Sequence, residues 1–144
     1  MSDHTFISNR LHCVFSTKDR HPLIAKEIQP RLWSYLGGIA RNLQIKTYAI
    51  GRTEDHVHLF LGLPATITTA KAIQTLKANS SRWLRDELAL KSFAWQEGYG
   101  AFSVSMSHTD ATVSYIQNQA AHHKKRGFDE EFAEILRRHQ MSAA

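Results

Sequence analysis

The sequence predicts an α+β fold: a ferredoxin-like β-α-β-β-α-β antiparallel sheet with two added C-terminal helices. Three observations support this class. Four short apolar stretches are rich in β-branched and aromatic residues, as strands are. Two longer segments carry apolar residues at helical spacing. The segments also follow one another in the order that this arrangement requires. The two helices cover one face of the sheet, so the other face must be covered by the C-terminal helices or by a partner chain.

The first half of the chain predicts a strand, a helix and then a pair of strands. The helix covers residues 26–42 and repeats apolar side chains at positions 28, 32, 36 and 39. Pro30 is tolerable there only in the first turn, and Pro64 ends the third strand. The predicted strands cover residues 10–17, 45–50 and 56–63, with a polar turn over residues 52–55.

The second half predicts a helix, a loop, a strand and two further helices. Thr68 or Thr69 can cap the second long helix, which runs to about residue 88. Asp110 can cap a third helix that reaches residue 126. Gly127 suits the left-handed position that ends a helix, and Asp129 can cap the last helix. The predicted loop covers residues 93–100, and the fourth strand covers residues 101–105.

Length and composition limit the classes of protein to consider. The 144 residues fit one domain over 1–144, and a net charge of +5 favours polyanionic partners. Cys13 is the only cysteine, which excludes an intrachain disulfide and suits a reducing compartment. No stretch approaches the ~20 apolar residues of a membrane span, and no secretory signal is evident. We therefore expect a cytoplasmic protein without a membrane partner.

The strongest local signal is the pair His56 and His58 on the predicted third strand. Alternate residues of a strand point the same way, so both imidazoles emerge on one face while Val57 packs on the other. Two neutral imidazoles so placed can hold a divalent cation, although histidine pairs also occur at sheet edges without metal. Glu54 in the preceding turn is either a further ligand or a solvated carboxylate.

A second signal lies on the third helix, where Tyr115 and Gln119 are four residues apart and share a face. Val113, Ile116 and Ala120 form a separate apolar stripe, so packing of that stripe does not require Tyr115. A phenol is a poor nucleophile at neutral pH, but it can attack a phosphodiester that a metal polarises. The phosphotyrosine would conserve bond energy, so rejoining would need no ATP. A half-buried structural tyrosine is the alternative.

A basic segment closes the same predicted helix. His122 follows Tyr115 by two turns on one face, so cations here could hold a DNA backbone beside the nucleophile. The same cations also complement the dipole at a helix C-terminus. The candidate DNA-binding residues are His122, Lys124, Lys125 and Arg126.

Together these motifs resemble the insertion-sequence 200/605-type transposases, the single-tyrosine branch of the HUH superfamily. His56-Val57-His58, preceded by Glu54-Asp55, resembles the HUH motif of histidine, bulky hydrophobic residue and histidine. Residues 115–119, followed by two histidines, resemble the catalytic helix. Residues 15–18 and 95–105 also match stretches typical of these proteins, and the resemblance covers nearly the whole chain.

The resemblance implies a DNA transposase that works as a homodimer. Mg²⁺ or Mn²⁺ would be held by His56, His58 and Gln119, and Tyr115 would be the nucleophile. The substrate would be single-stranded DNA beside an imperfect hairpin at the ends of the element. Cleavage would give a 5′-phosphotyrosine and a free 3′-OH, and a 3′-OH from another end would complete strand transfer. In several members of the family, the histidines of one chain work with the tyrosine helix of the other.

Two other functions fit the same residues. A domesticated relative would act on chromosomal hairpin repeats with the same chemistry. A non-catalytic module would only bind single-stranded nucleic acid, since sheets of this topology also serve as RNA-binding platforms, although the usual stacking aromatics are not evident. The aromatic residues that could contact bases, and that packing explains equally well, are Trp83, Trp95, Tyr99 and Phe102.

Overall fold

Four antiparallel strands and four helices form the described part of the computed structural model, residues 5–117 and 127–139. The strands are β1 (Arg10–Ser16), β2 (Lys46–Arg52), β3 (His56–Gly62) and β4 (Gly100–Ser103). The helices are α1 (Gln29–Asn42), α2 (Thr69–Asp86), α3 (Thr109–Gln117) and α4 (Phe128–Arg138). The sheet order is β2-β3-β1-β4, so the predicted ferredoxin-like α+β class is confirmed. None of the described helices is long and apolar enough to cross a membrane.

Helices α1 and α2 cover one face of the sheet and enclose the main core. Alternate residues of the two central strands point into this core, because side chains alternate between faces along a strand. Burial of each large aliphatic side chain stabilises the fold by about 1.5–3 kcal/mol. The strands contribute Leu11, Cys13, Phe15, Val57, Leu59 and Leu61, and the helices contribute Leu32, Leu36, Ile73, Leu76 and Leu84.

Local sequence explains where the two long helices begin. Thr68 has extended backbone, and its hydroxyl accepts a hydrogen bond from the Lys71 N–H at 3.1 Å. Thr68 is therefore the N-cap, one of the two threonines that the sequence offers for this position. Pro30 lies in the first turn of α1, where a missing N–H removes no helical hydrogen bond.

Helices α3 and α4 cover part of the opposite face of the sheet. Ile116 of α3 packs with Ala49 and Phe60 of the strands. A second apolar cluster joins α4 to the edge of the sheet and comprises Val14, Phe102, Phe128, Ile135 and Leu136. The polar side chains that β1 and β3 present on this face are therefore buried.

Two predicted helix boundaries are wrong. Gly127 has a φ of −78° and not a left-handed one, and it is the N-cap of α4. Asp129 is not the cap but lies in the first turn of α4, where its carboxylate pairs with Arg20 at 2.9 Å. Phe128 is buried against the sheet, and this packing starts the helix before the acidic residue.

The predicted polar turn is also displaced. Arg52 is the last residue of β2, and its side chain is completely buried. Its φ of 144° is unusual for a residue with a side chain, and such backbone costs about 1–3 kcal/mol unless the surroundings hold it in place. The predicted continuation of the third helix to residue 126 lies outside the described residues.

Candidate active site

His56 and His58 lie at the start of β3 and point to the face that α3 and α4 cover. Val57 between them is part of the main core on the other face. His56 is 2% exposed and His58 is fully buried. The alternation of a strand therefore brings the two imidazoles together in an interior that excludes water.

Each imidazole uses its Nδ1 atom for a partner that orients the ring. The Nδ1 of His56 lies 2.7 Å from Asp55 Oδ1 and 3.1 Å from the hydroxyl of Thr53. The Nδ1 of His58 lies 2.6 Å from the Nε2 of His12, a buried residue of β1. Such contacts are typical of metal-binding histidines, because they set the tautomer and leave Nε2 for the ion.

The two Nε2 atoms converge on the carboxylate of Glu131 from α4. Glu131 Oε1 lies 2.7 Å from His56 Nε2 and 3.3 Å from His58 Nε2. The longer of these contacts does not meet hydrogen-bond geometry, so His58 Nε2 is a buried nitrogen without a hydrogen bond among the described residues. One ligand atom from each of the three residues lies within 4.8 Å of the others. This group could hold a metal ion.

Arg52 connects this group to the tyrosine helix. Its Nε and Nη2 both donate to the carboxylate of Glu131, the first at 3.2 Å. Its Nη1 donates to the backbone carbonyl of Tyr115 at 3.2 Å, and its guanidinium lies 4.4 Å from the centre of the Tyr115 ring. The buried cation therefore contacts both the candidate nucleophile and the carboxylate beside it.

Tyr115 completes the site. Its hydroxyl donates to Glu131 Oε2 at 3.0 Å, while its ring lies edge-on to His12 and His58 with centroids 6.1 Å and 5.9 Å away. A single carboxylate thus links the phenol to the imidazole pair within one chain.

The surroundings shift the pKa values of the groups at this site, and the shifts of His58 and Glu131 suit a cation site. Burial lowers the pKa of His58 well below its ordinary value, so this ring is neutral at neutral pH. Burial alone would raise the pKa of Glu131, but hydrogen bonds with His56 and Arg52, together with the nearby ring of His58, hold it far below its usual range. Burial and the charge of Glu131 raise the pKa of Tyr115, with Arg52 acting in the opposite direction.

The same surroundings lower the pKa of His12 and raise the pKa of His56. Burial, and next the charge of Arg52, lowers the pKa of His12 to about 4. Burial also lowers the pKa of His56, but the hydrogen bonds with Asp55 and Glu131 outweigh it and raise the pKa. His12 therefore acts as a neutral hydrogen-bond partner at neutral pH.

A cavity of about 530 Å³ lies beside the Tyr115 ring. Polar and cationic side chains contribute much of its lining, and these groups commonly contact nucleic-acid backbones. The residues include His12, His108, Thr112, Tyr115, Arg138 and His139.

Three of the predicted site residues come together, and five cannot be assessed. His56, His58 and Tyr115 surround the carboxylate of Glu131. Glu54 is exposed, as the solvated alternative predicts. The residues outside the described part of the chain are Gln119, His122, Lys124, Lys125 and Arg126.

Sequence reasoning did not identify His12, Arg52 or Glu131. His12 alternates with the core residues of β1, so strand periodicity does place it on the face of His58. Arg52 and Glu131 give no comparable signal, because each lies in a charged local sequence that is typical of a solvated surface.

The aromatic residues considered for base contacts are mostly packed. Trp83 stacks on Tyr35 with centroids 4.3 Å apart, and the indole N–H of Trp95 donates to Ser80 at 2.9 Å. Phe102 is buried in the cluster under α4. Tyr99 is 43% exposed.

This chain is similar to known proteins both in sequence and in fold. The sequence model of the IS200-like transposase family matches residues 5–119. The fold is similar to that of a protein from Deinococcus radiodurans R1 described as a candidate transposase, with a TM-score of 0.66 and 25% identity over 83% of this chain and 96% of that one. It is also similar to a REP-associated tyrosine transposase bound to a REP hairpin, with a TM-score of 0.60 and 17% identity over 85% of this chain and 75% of that one. No curated protein matches the sequence.

Proposed function

We propose that this chain cuts and rejoins single-stranded DNA through a covalent bond to Tyr115. The chain belongs to the IS200-like transposase family, which supports the proposal. One observation carries the proposal: the phenol of Tyr115 and the imidazole of His56 contact the same carboxylate, at 3.0 Å and 2.7 Å. A nucleophile and a candidate cation site therefore lie within reach of a single phosphodiester. Such proximity lowers the entropic cost of reaching the transition state.

The residues present fit Mg²⁺ or Mn²⁺. His56 and His58 would hold the ion through Nε2, with Gln119 as the third ligand that the family resemblance implies. Glu131 offers an oxygen in the same place. The buried Nε2 of His58 supports this fit, because a buried nitrogen without a hydrogen bond is costly unless it binds something else. When bound, the ion would polarise the phosphate and stabilise its developing charge.

The chain's own residues would carry out the transfer. The hydroxyl oxygen of Tyr115 forms a bond to phosphorus, the bond from phosphorus to the 3′ oxygen breaks, and the phenolic proton ends on that oxygen. The products are a 5′-phosphotyrosine and a free 3′-OH. A 3′-OH from another end reverses the same steps and rejoins the DNA. The guanidinium of Arg52 against the phenol favours loss of the proton from Tyr115.

We also propose hairpin-marked DNA as the substrate and a homodimer as the working form. The REP hairpin bound by the similar transposase and the net charge of +5 support a DNA substrate. Because Tyr115 contacts the histidine site of its own chain, the chemistry does not require an exchange of helices between protomers.

A covalent adduct tests the proposal. The protein is incubated with labelled single-stranded DNA that carries a hairpin, in the presence of Mn²⁺, and a labelled band that survives denaturation is sought. Tyr115→Phe should abolish this band while DNA binding remains. Tyr35→Phe is the matched control, because Tyr35 is also half-buried but packs on Trp83 of α2, on the other face of the sheet. His56→Ala or His58→Ala should remove the adduct together with its metal dependence. An adduct formed by Tyr115→Phe contradicts the assignment.

A further inference from the structure

We infer that the carboxylate of Glu131 occupies the position of the scissile phosphodiester, and that Arg52 binds this phosphate when helix α4 withdraws Glu131. The inference rests on the proposed function. It adds a substrate-binding residue, Arg52, and identifies Glu131 as a group that the substrate displaces.

The surroundings of Glu131 form an anion site. Arg52 donates to both carboxylate oxygens, His56 Nε2 lies 2.7 Å from Oε1, and the Tyr115 hydroxyl lies 3.0 Å from Oε2. The side chains of Arg52, His56 and Glu131 are all 0–2% exposed. A phosphodiester also presents two oxygens that share one negative charge. The planar fork of an arginine fits either anion in the same bidentate way.

Glu131 also lies where the reacting phosphorus would have to be. An attacking oxygen must approach phosphorus to about 3–3.5 Å before it reacts. Glu131 Oε2 lies 3.0 Å from the Tyr115 hydroxyl, on the side of the imidazole pair. The carboxylate therefore fills the space in which phosphorus must lie. Two anions cannot share one set of donors at this distance, so the substrate phosphate and Glu131 exclude each other.

Arg52 has contacts that hold it independently of Glu131. Its Nη1 donates to the carbonyl of Tyr115 at 3.2 Å, and its guanidinium rests on the tyrosine ring. The backbone of Arg52 has an unusual φ of 144°. Such backbone conformations lower stability and are often found at functional sites. Withdrawal of the carboxylate therefore leaves a cation beside the nucleophile, where it can bind a phosphate.

Helix α4 can move away from the sheet without opening the main core. The main core lies on the other face of the sheet, under α1 and α2. The apolar contact of α4 with the sheet rests on Phe128, Ile135 and Leu136, together with the half-buried Phe132. The Arg20–Asp129 ion pair at its start is largely exposed and adds little stability.

The test uses dimethyl phosphate, a phosphodiester without DNA, and thermal unfolding of the full-length chain with metal removed by chelation. Glu131→Gln keeps the shape of the side chain but removes its charge. Because Arg52 loses its carboxylate, this variant should unfold at a lower temperature than the wild type. Dimethyl phosphate should then raise its Tm by about 3–6 °C at roughly ten times Kd. The wild type should respond far less, because Glu131 competes with the probe.

Two variants act as controls. Glu134→Gln removes an acid from the same helix, where Glu134 pairs at the surface with Arg137 and Arg138, and it should behave as the wild type does. The double variant Arg52→Gln/Glu131→Gln replaces the buried ion pair by two neutral amides and should not respond to dimethyl phosphate. If Glu131→Gln alone does not fold, dimethyl phosphate should restore its circular dichroism.

Three results would overturn the inference. The first is a response of Glu131→Gln no larger than that of Glu134→Gln, or an unfolded chain that the probe does not restore. The second is an equal response of the double variant, because the probe would then bind elsewhere. The third is a loss of Mn²⁺ affinity in Glu131→Gln without any response to dimethyl phosphate, which would identify Glu131 as a permanent metal ligand. The probe contains no DNA, so each of these failures is distinct from failure of the adduct test.

Discussion

Replacing His12 with phenylalanine tests whether this residue prepares His58 for metal binding. The Nδ1 of His58 lies 2.6 Å from the Nε2 of His12, and only one proton can occupy that contact. If His58 carries the proton on Nδ1 and donates it to His12, its Nε2 lone pair points toward Glu131 and the candidate cation site. Phenylalanine keeps a flat ring of similar size but cannot accept the hydrogen bond.

The expected magnitude follows from the burial of the pair. His58 is fully buried, so an Nδ1–H without an acceptor costs about 1–3 kcal/mol. The ring avoids this cost by moving its proton to Nε2, where the proton blocks the metal. To bind Mn²⁺, His58 must then return its proton to Nδ1 and accept the cost of about 1–3 kcal/mol. This cost weakens Mn²⁺ binding by about 5–150-fold. This range agrees with the 10–100-fold that partners of metal ligands typically contribute.

Calorimetric titration of Mn²⁺ into the full-length protein at neutral pH measures this effect. His12→Gln should recover much of the affinity, because its amide oxygen can accept the hydrogen bond. His21→Phe is the matched control, since His21 is exposed in the loop between β1 and α1. If His12→Phe folds normally and binds Mn²⁺ as tightly as the wild type, the reasoning about the tautomer is wrong.

Three further predictions concern stability. The metal-free protein should lose stability as the pH falls from about 6.5 to about 4, because burial lowers the pKa of His12 to about 4 and the unfolded chain binds that proton first. His12 accounts for about 3 kcal/mol of the loss, so His12→Phe should lose less stability than the wild type over the same pH range in urea unfolding; identical pH profiles would contradict the prediction. Gly100→Ala would place a Cβ 2.7 Å from Phe132 of α4, so it should destabilise the protein by roughly 1–3 kcal/mol. Thermal unfolding should separate it from Gly37→Ala, where the added Cβ would point into open space, and equal Tm values would show that α4 does not pack closely on β4. Thr68→Ala should cost about 1 kcal/mol in urea unfolding through the lost N-cap, while Thr68→Ser should cost far less; an equal loss in both variants would argue against the cap.

The parts of the fold that depend on local geometry could be predicted from the sequence. The period of a strand puts His56 and His58 on one face and Val57 on the other, whatever the rest of the chain does. Thr68 caps its helix because the capping hydrogen bond joins residues three apart in sequence. The order of strands and helices then left few arrangements of the sheet, and the ferredoxin-like one is observed.

The parts that depend on contacts between distant segments could not be predicted. Asp129 has the right side chain for an N-cap, but the burial of Phe128 against the sheet starts the helix at Gly127 instead. Arg52 follows a glycine and precedes a polar turn, which is typical of a solvated residue. It is buried because α3 and α4 pack over the end of β2 and supply its partners, Tyr115 and Glu131.

The sequence by itself therefore determined the fold class, the two histidines on one strand face and the tyrosine on a separate helix. Short-range periodicity gives the strands and helices, and their order along the chain then leaves few ways to arrange the sheet. Only the tertiary structure decided that Glu131, 75 residues after His56, lies between those histidines and Tyr115. Its position depends on how α4 packs on the sheet, and the pairing energies that hold it arise only after water has been excluded from that interface. No spacing along the chain carries that information.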